Sequence, residues 1–467
     1  MSDLSALIKA YDIRGTVPDQ LNGDIARAVG TAFVRVLGIS SDKGGPGCVV
    51  VGHDMRPSGP DLVASFANGV NAAGVDVIDI GLCSTDGLYF AAGSLDMPGA
   101  MFTASHNPAQ YNGIKLCRAG AAPVGQDSGL AEIRALLEQT LLAHPAEAVE
   151  SPGSMRTQDM LVAYSTFLRT LVPLAGRRLR VVVDAGNGMG GYTVPAVLGN
   201  AAGLPALPLD IVPMYFELDG SFPHHEANPI EPANLVDLQA RVIAESADIG
   251  LAFDGDADRC FVVDETGRVV NPSTLTALIA VRELAKVPGA TIIHNLITSH
   301  SVAEVVRENG GVPLRTRVGH SFIKAEMART GAVFGGEHSG HFYFRDFWNA
   351  DSGMLAAMHA LAALSETPEG TVLSSLLGEY ERYAASGEIN TVVSDPLASI
   401  AAVREHFAAH GYRLDDLDGL TVEADDWWFN VRPSNTEPLL RLNVEGTTEA
   451  AMHQARDEVV AVIGGLS

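Results

Sequence analysis

Three stretches of this chain restrict its fold more than any others: "CVVVGHDMRPSG" from Cys48, "LRVVVDAGNGMGG" from Leu179 and "ATIIHNLITSHS" from Ala290. Each is a continuous run of apolar, largely β-branched residues, followed by a glycine-rich or polar loop and then by helical periodicity. Strands that face water on one side alternate apolar with polar residues; unbroken apolar strands belong to parallel sheets covered on both faces. The runs recur roughly 110 to 130 residues apart, the spacing of a repeated α/β unit. Turn formers interrupt the pattern at "SPGSM" (151–155) and "SETPEG" (365–370). After Gly370 it changes. Strand-like "GEINTVV", helix-like "LASIAAVREHFAAHG", two strands around "WWFNVRPSNTEPLLRLNVEG" and a last helix predict a smaller α+β domain. The expected fold is three similar α/β units with mixed or mainly parallel sheets plus a C-terminal α+β domain. The expected domains are residues 1–152, 153–253, 254–369 and 370–467, although the boundary near Asp254 has no linker signature.

At 467 residues the chain exceeds a single ordinary core. Its 47% hydrophobic and 19% charged residues mark a globular protein rather than a disordered one. No run of about 18 to 20 apolar residues occurs, so no membrane-spanning helix is expected. The segment "MSDLSALIKAYDIRG" has neither a basic leader nor a cleavage-site pattern, so a cytoplasmic location is expected. Cys48, Cys83, Cys117 and Cys260 form no CxxC pair, which argues against a zinc knuckle or a disulfide framework. The formal charge of −25, from 31 basic against 56 acidic residues, argues against a nucleic-acid or membrane partner. An anionic ligand should therefore be small and held by a few local cations.

Four short motifs offer chemistry. In "MFTASHNPAQYNGIK" (101–115), Ser105 either caps a turn or reacts; proximity to a His-Asn-Pro bend allows both. "FDGDADR" (253–259) follows the apolar strand "IGLAF" and sets Asp254, Asp256 and Asp258 at alternate positions. Such carboxylates can converge on one hard cation or simply form an acidic turn. An EF-hand would place Glu265 correctly but needs glycine where Arg259 stands. "GGEHSGH" (335–341) suits a neutral polyol, with a metal at His338 and His341 as the competing reading. "RPSNTEP" (432–438) joins one guanidinium to hydroxyls and loop amides, either a phosphate cradle or a well-capped hairpin. "KAYDIRG" (9–15) is weaker, and Arg14 there either reaches a ligand or braces a turn. Gly186, Gly188 and Gly191 with Asp210 match a dinucleotide fingerprint, but that reading explains none of the other motifs. "FPHHEANP", with adjacent His224 and His225, reads as a loop.

Taken together, "TASHNP", "DGDADR", "GEHSGH" and "RPSNTEP" make the chain resemble the α-D-phosphohexomutase family, in its phosphomannomutase/phosphoglucomutase branch, over nearly its whole length. The resemblance implies a phosphorylated Ser105, and Mg²⁺ held by Asp254, Asp256 and Asp258 together with it. It implies sugar selection by Glu337 and Ser339, with His341 alongside, and a cradle for the non-reacting phosphate at Arg432, Ser434, Asn435 and Thr436. Arg14, in "AYDIRG", would reach the active site. Arg259 would stabilise the transferring group, and Lys115 and His320 would manage protons or bind substrate. The implied reaction interconverts hexose 1- and 6-phosphates through a hexose 1,6-bisphosphate. The implied partners are small-molecule sugar phosphates. The family's third motif usually carries methionine where His338 stands. His341 favours the mannose-accepting branch, and Glu and Ser reading only the 3- and 4-hydroxyls would accept glucose too. A phosphoglucosamine mutase and a non-catalytic sugar-phosphate sensor are the alternatives; a sensor would not need Ser105 with three aspartates.

Overall fold

The first apolar run of the sequence becomes an inner strand of a six-stranded sheet in a computed structural model that describes residues 4–40, 47–144, 148–434 and 439–464. The chain divides into two units, Met1–Pro272 with Ser339–Leu376, and Ser273–His338 with Leu377–Ser467. The strands of the first sheet are β1 (Ile13–Thr16), β2 (Cys48–His53), β3 (Asp76–Leu82), β4 (Gly99–Phe102), β5 (Tyr111–Cys117) and β6 (Met155–Thr157). Their order is β1-β5-β4-β2-β3-β6. β2 is parallel to β3 and β4, and β6 extends the parallel set beside β3, whereas β5 is antiparallel to both β4 and β1. Val49, Val50 and Val51 of β2 are fully buried, as an unbroken apolar run requires.

Helices Gly23–Leu37 and Gly59–Ala72 share a core with this sheet, Phe33 and Phe66 meeting at 6.0 Å between ring centroids. The Asn22 side chain caps the first of them by accepting from the Ile25 amide. A Cβ on Gly69 would lie 2.0 Å from the Arg27 carbonyl oxygen, so glycine permits this close crossing.

The second sheet comprises β7 (Leu179–Asp184), β8 (Leu209–Met214), β9 (Ile249–Phe253) and β10 (Cys260–Asp264), in the order β10-β9-β7-β8. β7 is parallel to β8 and β9, and β10 turns back antiparallel beside β9. In the second unit, β11 (Thr291–Asn295) lies parallel between β12 (Val312–Thr316) and β13 (Phe334–Gly336). The chain returns to the first unit at Ser339, where β14 (Phe342–Phe344) and β15 (Ala350–Asp351) form a short hairpin before helix Gly353–Ser365.

The C-terminal sheet, in the second unit, is antiparallel throughout: β16 (Ala384–Val392), β17 (Arg413–Asp415), β18 (Leu420–Glu423), β19 (Trp427–Pro433) and β20 (Leu439–Gly446), ordered β16-β20-β19-β18-β17. Phe407, Phe429, Leu442 and Val459 help fill its core beneath helices Pro396–Ala409 and Glu449–Gly464. The architecture is the predicted one, three α/β units and a C-terminal α+β domain. The sequence pattern misses β17 and β18 because each is only three or four residues long and the aspartate-rich segment between them hides the alternation.

No helix among the described residues is long and apolar enough to cross a membrane. What the fold positions is a set of loops. Those carrying Arg56, Thr85, Ser105 and Asp254 all leave the C-terminal ends of strands in parallel pairings, where open α/β sheets hold their ligands.

Candidate active site

The loop after β4 holds Ser105 with φ +50°, a left-handed backbone that costs a non-glycine residue about 1–3 kcal/mol. Its amide donates to Thr103 Oγ1 at 2.8 Å, and its hydroxyl donates to Asp254 Oδ2 at 2.8 Å. His106 Nδ1 lies 3.2 Å from the same hydroxyl. A Cβ on Gly255 would meet the Ser105 carbonyl oxygen at 2.3 Å, so only glycine lets the serine loop and the aspartate loop touch.

Asp254, Asp256 and Asp258 are all buried in the turn between β9 and β10. Arg259 folds back on Asp254, Nε donating to Oδ2 at 2.9 Å and the amide to Oδ1 at 3.1 Å. Lys115, from β5, donates to Asp256 Oδ2 at 2.7 Å and to Asp258 Oδ2 at 2.6 Å. Thr85 Oγ1 donates to Asp256 Oδ2 at 2.6 Å. Among the described residues, Asp256 Oδ1 and Asp258 Oδ1 are buried without a hydrogen-bond partner. Ligand oxygens from the three aspartates lie within 4.8 Å of one another. Hard, anionic and partly unsatisfied oxygens in one place fit a divalent cation.

The electrostatics follow from burial and pairing. Burial, with Asp258 and Asp256 nearby, pushes the Asp254 carboxyl up to about 7 against the pull of Arg259 and the Ser105 hydrogen bond. Burial also acts to raise Asp256, but Lys115 and Thr85 outweigh it and hold that carboxyl below the usual range. Burial likewise opposes the charge on Lys115, yet Asp256 and Asp258 hold it well above its ordinary value. Lys115 is therefore held as an ammonium that offsets the charge of the two carboxylates. Burial, followed by Arg259 and Arg14, keeps His106 well below its ordinary value and therefore neutral.

Other predicted residues of the first unit sit around this centre. Arg14, on β1, donates to Asn107 Oδ1 at 2.6 Å and to Asp12 Oδ2 at 2.5 Å, so it reaches the serine loop. His341 Nε2 lies 3.6 Å from Asp258 Oδ1, and its Nδ1 lies 2.8 Å from Ser339 Oγ. In the second unit, Glu337 is buried and accepts from Asn295 Nδ2 at 3.3 Å and the Gly319 amide at 3.1 Å. There Arg432 donates to Glu388 Oε2 at 3.1 Å, while Arg441 donates to Glu388 Oε1 at 3.0 Å. Burial lowers the Arg432 guanidinium's affinity for its proton, with Glu388 opposing. The Ser434 amide bonds the Leu439 carbonyl at 2.9 Å. Asn435 and Thr436 lie outside the described residues. The backbone of His320 opens helix His320–Thr330, but its side chain is outside the described set. Asp210 of the dinucleotide-like pattern lies on β8 and pairs with Arg180 at 3.3 Å.

Thr85 and Asp86 at the end of β3, and Asp54 and Arg56 at the end of β2, escape the sequence reading. Asp86 is fully buried beside Thr85 and accepts from Tyr164 at 2.8 Å, from Ser352 at 2.6 Å and from Ser84. Burial pushes it up to about 6 despite those bonds. The usable signal is a charged residue at the exit of an apolar parallel strand.

Sequence families described as phosphoglucomutase/phosphomannomutase alpha/beta/alpha domains I, II and III and C-terminal domain match residues 5–143, 162–267, 271–383 and 388–462. A protein named phosphohexose mutases from Xanthomonas campestris pv. campestris is 41% identical over 457 residues, covering 97% of this chain and 98% of that one. A phosphomannomutase from Salmonella montevideo is 39% identical, covering 97% of each chain. The crystal structure of a phosphoglucomutase/phosphomannomutase family protein from Burkholderia thailandensis superposes with a TM-score of 0.87 at 33% identity, covering 100% of this chain and 98% of that one. With four consecutive domain matches and relatives this similar along its whole length, the chain belongs to the phosphoglucomutase/phosphomannomutase family of intramolecular phosphotransferases.

Proposed function

We propose that this chain interconverts hexose 1-phosphates and hexose 6-phosphates, mannose phosphates first and glucose phosphates alongside, through a phosphorylated Ser105. The observation that carries the reading is the Ser105 hydroxyl, bonded at 2.8 Å to a buried aspartate of a three-carboxylate cluster. In the forward half-reaction the bond from phosphorus to Ser105 Oγ breaks as one forms to O1 or O6 of the sugar phosphate. The sugar hydroxyl gives up its proton and the serine oxygen takes one up. The product is a hexose 1,6-bisphosphate, which turns over and returns its other phosphate to Ser105 by the reverse step.

Asp254, Asp256 and Asp258, with the serine phosphate, would hold Mg²⁺. When bound, that ion neutralises charge on the transferring phosphoryl group. Arg259, tied to Asp254, supplies a fixed positive charge on the same side. Lys115 and His320 are assigned to proton handling or substrate binding, and Arg14 to the substrate. Glu337, Ser339 and His341 are assigned to the sugar. Arg432, Ser434, Asn435 and Thr436 are assigned to the phosphate that is not reacting.

A relative named phosphomannomutase supports mannose phosphates as substrates. Carboxylate and hydroxyl groups that read the 3- and 4-hydroxyls alone do not separate mannose from glucose, which differ at C2. Initial rates on mannose 1-phosphate, glucose 1-phosphate and glucosamine 1-phosphate test this. We expect turnover of the first two well above the third; a preference for glucosamine 1-phosphate would replace the assignment by phosphoglucosamine mutase.

A further inference from the structure

Arg56 is charged, 1% exposed, and used by none of the steps above. A guanidinium has five N–H donors in a rigid fork. Here they make five hydrogen bonds. Nε donates to Asp54 Oδ2 at 3.2 Å. Nη1 donates to the carbonyls of Pro108 at 2.9 Å and Tyr111 at 2.8 Å, and Nη2 to those of Ser105 at 2.9 Å and Asn107 at 2.6 Å. Four of the five therefore end on the main chain of one loop, Ser105 to Tyr111.

That pattern differs from what burial of a cation alone demands. One carboxylate such as Asp54 and any polar atoms would satisfy the charge. Bonds to successive carbonyls instead fix backbone direction, and they begin at the residue whose φ is +50°. A left-handed serine costs about 1–3 kcal/mol, so contacts must hold it, and these carbonyl bonds add to the Ser105 amide bond to Thr103 and the hydroxyl bond to Asp254. Arg56 is itself fixed at the end of β2, its amide donating to Asp54 Oδ1 at 2.9 Å and its guanidinium 5.2 Å from the Phe222 ring.

We propose that Arg56 is a positioning residue for phosphoryl transfer: it holds the Ser105 loop in its left-handed form so that Oγ faces the aspartate cluster, without touching the substrate. This rests on the reading of Ser105 as the phosphoryl carrier. The expected signature is a loss in kcat with KM preserved, because the sugar-binding groups are untouched while the reacting oxygen is misplaced.

The test compares Arg56→Lys and Arg56→Ala with the parent enzyme, assayed with Mg²⁺ on mannose 1-phosphate. An ammonium offers three donors from a single point and does not span four carbonyls. Arg56→Lys should keep native circular dichroism and KM within about threefold while kcat falls roughly 10- to 100-fold, and Arg56→Ala should fall further. Wild-type kcat in Arg56→Lys, or a rise in KM that accounts for the loss, overturns the proposal. Failure of both variants to fold also overturns it, by making Arg56 a condition of the fold rather than of the rate. Ser105→Ala separates the two layers. If it turns over normally, the phosphoserine reading fails; if it is inactive while Arg56→Lys is normal, the positioning role fails alone.

Discussion

At the scale of single residues, the site depends on charges that are buried only because each has a partner. Lys115 links Asp256 to Asp258 and Arg259 holds Asp254, and among the described residues the Oδ1 atoms of Asp256 and Asp258 and Nη2 of Arg259 are still without a partner. Arg432 is a different case. Its Glu388 contact is one hydrogen bond at 3.1 Å, and among the described residues its Nε has no partner. If it holds the phosphate that is not reacting, one cradle serves the 1-phosphate in one half-reaction and the 6-phosphate in the other. Losing a charge-assisted contact of about 1.5–3 kcal/mol corresponds to roughly a 10- to 150-fold loss in kcat/KM. Arg432→Ala should therefore lower kcat/KM for mannose 1-phosphate and mannose 6-phosphate by one common factor, as the fixed equilibrium between them requires. Glucose phosphates should suffer equally. A loss confined to one sugar would move Arg432 from the phosphate to the sugar-selecting contacts.

At the scale of elements, the aspartate turn is held by the ends of helices as much as by its own sequence. Helix Thr85–Ser94 begins with the Ser84 cap, and its first residue binds Asp256 through both the Thr85 hydroxyl and the Thr85 amide. Helix Gly353–Ser365 begins with Ser352, whose Oγ accepts from the Leu355 amide at 3.0 Å and donates to Asp86. Ser352→Ala removes a helix cap and a donor to a buried carboxyl together. It should lower unfolding free energy by about 1–3 kcal/mol in urea titrations. An unchanged midpoint would mean that Asp86 does not join the two helices energetically. These cross-links explain what the sequence reveals and what it conceals. The strands β2, β7 and β11 are legible because an unbroken apolar run is a local pattern, and the motif loops are legible because their polar residues are adjacent. Arg56, Thr85 and Asp86 are single residues at strand exits. Their partners Ser105, Asp256 and Ser352 are 49, 171 and 266 positions away, a pairing that leaves no periodicity or spacing to read. Ser105 itself is legible as a polar turn residue, but its left-handed φ is not written in the local sequence.

At the scale of the whole molecule, acid should act on the second unit through two buried histidines. Burial, against one bond from His294 Nδ1 to the Asn295 carbonyl and with Arg315 opposing the charge, brings His294 down to about 4. Burial and Arg315 bring His300 to about 4 as well; its ring stacks on Trp428 at 4.6 Å, with Tyr383 edge-on and Glu445 on its amide. Both folded values lie below the ordinary 6.5, so the unfolded chain binds the protons first. Their contribution is present above pH 6.5 and is lost as pH falls toward 4, at most about 3 kcal/mol for each. Hydrogen exchange across Thr291–Glu308 should therefore quicken, beyond the change in chemical exchange rate, between pH 6.5 and 4.5. Protection constant over that range would contradict the burial of two neutral imidazoles. The central claim concerns the other unit, where Ser105 meets the aspartates. The measurement that tests it most directly is a single turnover: enzyme phosphorylated on Ser105 is mixed with one equivalent of mannose 1-phosphate and quenched. Intact mass then reads the serine phosphate and ³¹P NMR reads the sugars. The account predicts that phosphate leaves Ser105 as mannose 1,6-bisphosphate appears, before or together with mannose 6-phosphate. With the starting serine phosphate labelled by ¹⁸O, the label must leave in the sugar, because Ser105 is rephosphorylated by the other phosphate of the bisphosphate; mannose 6-phosphate formed while the label stays on Ser105 would contradict the account.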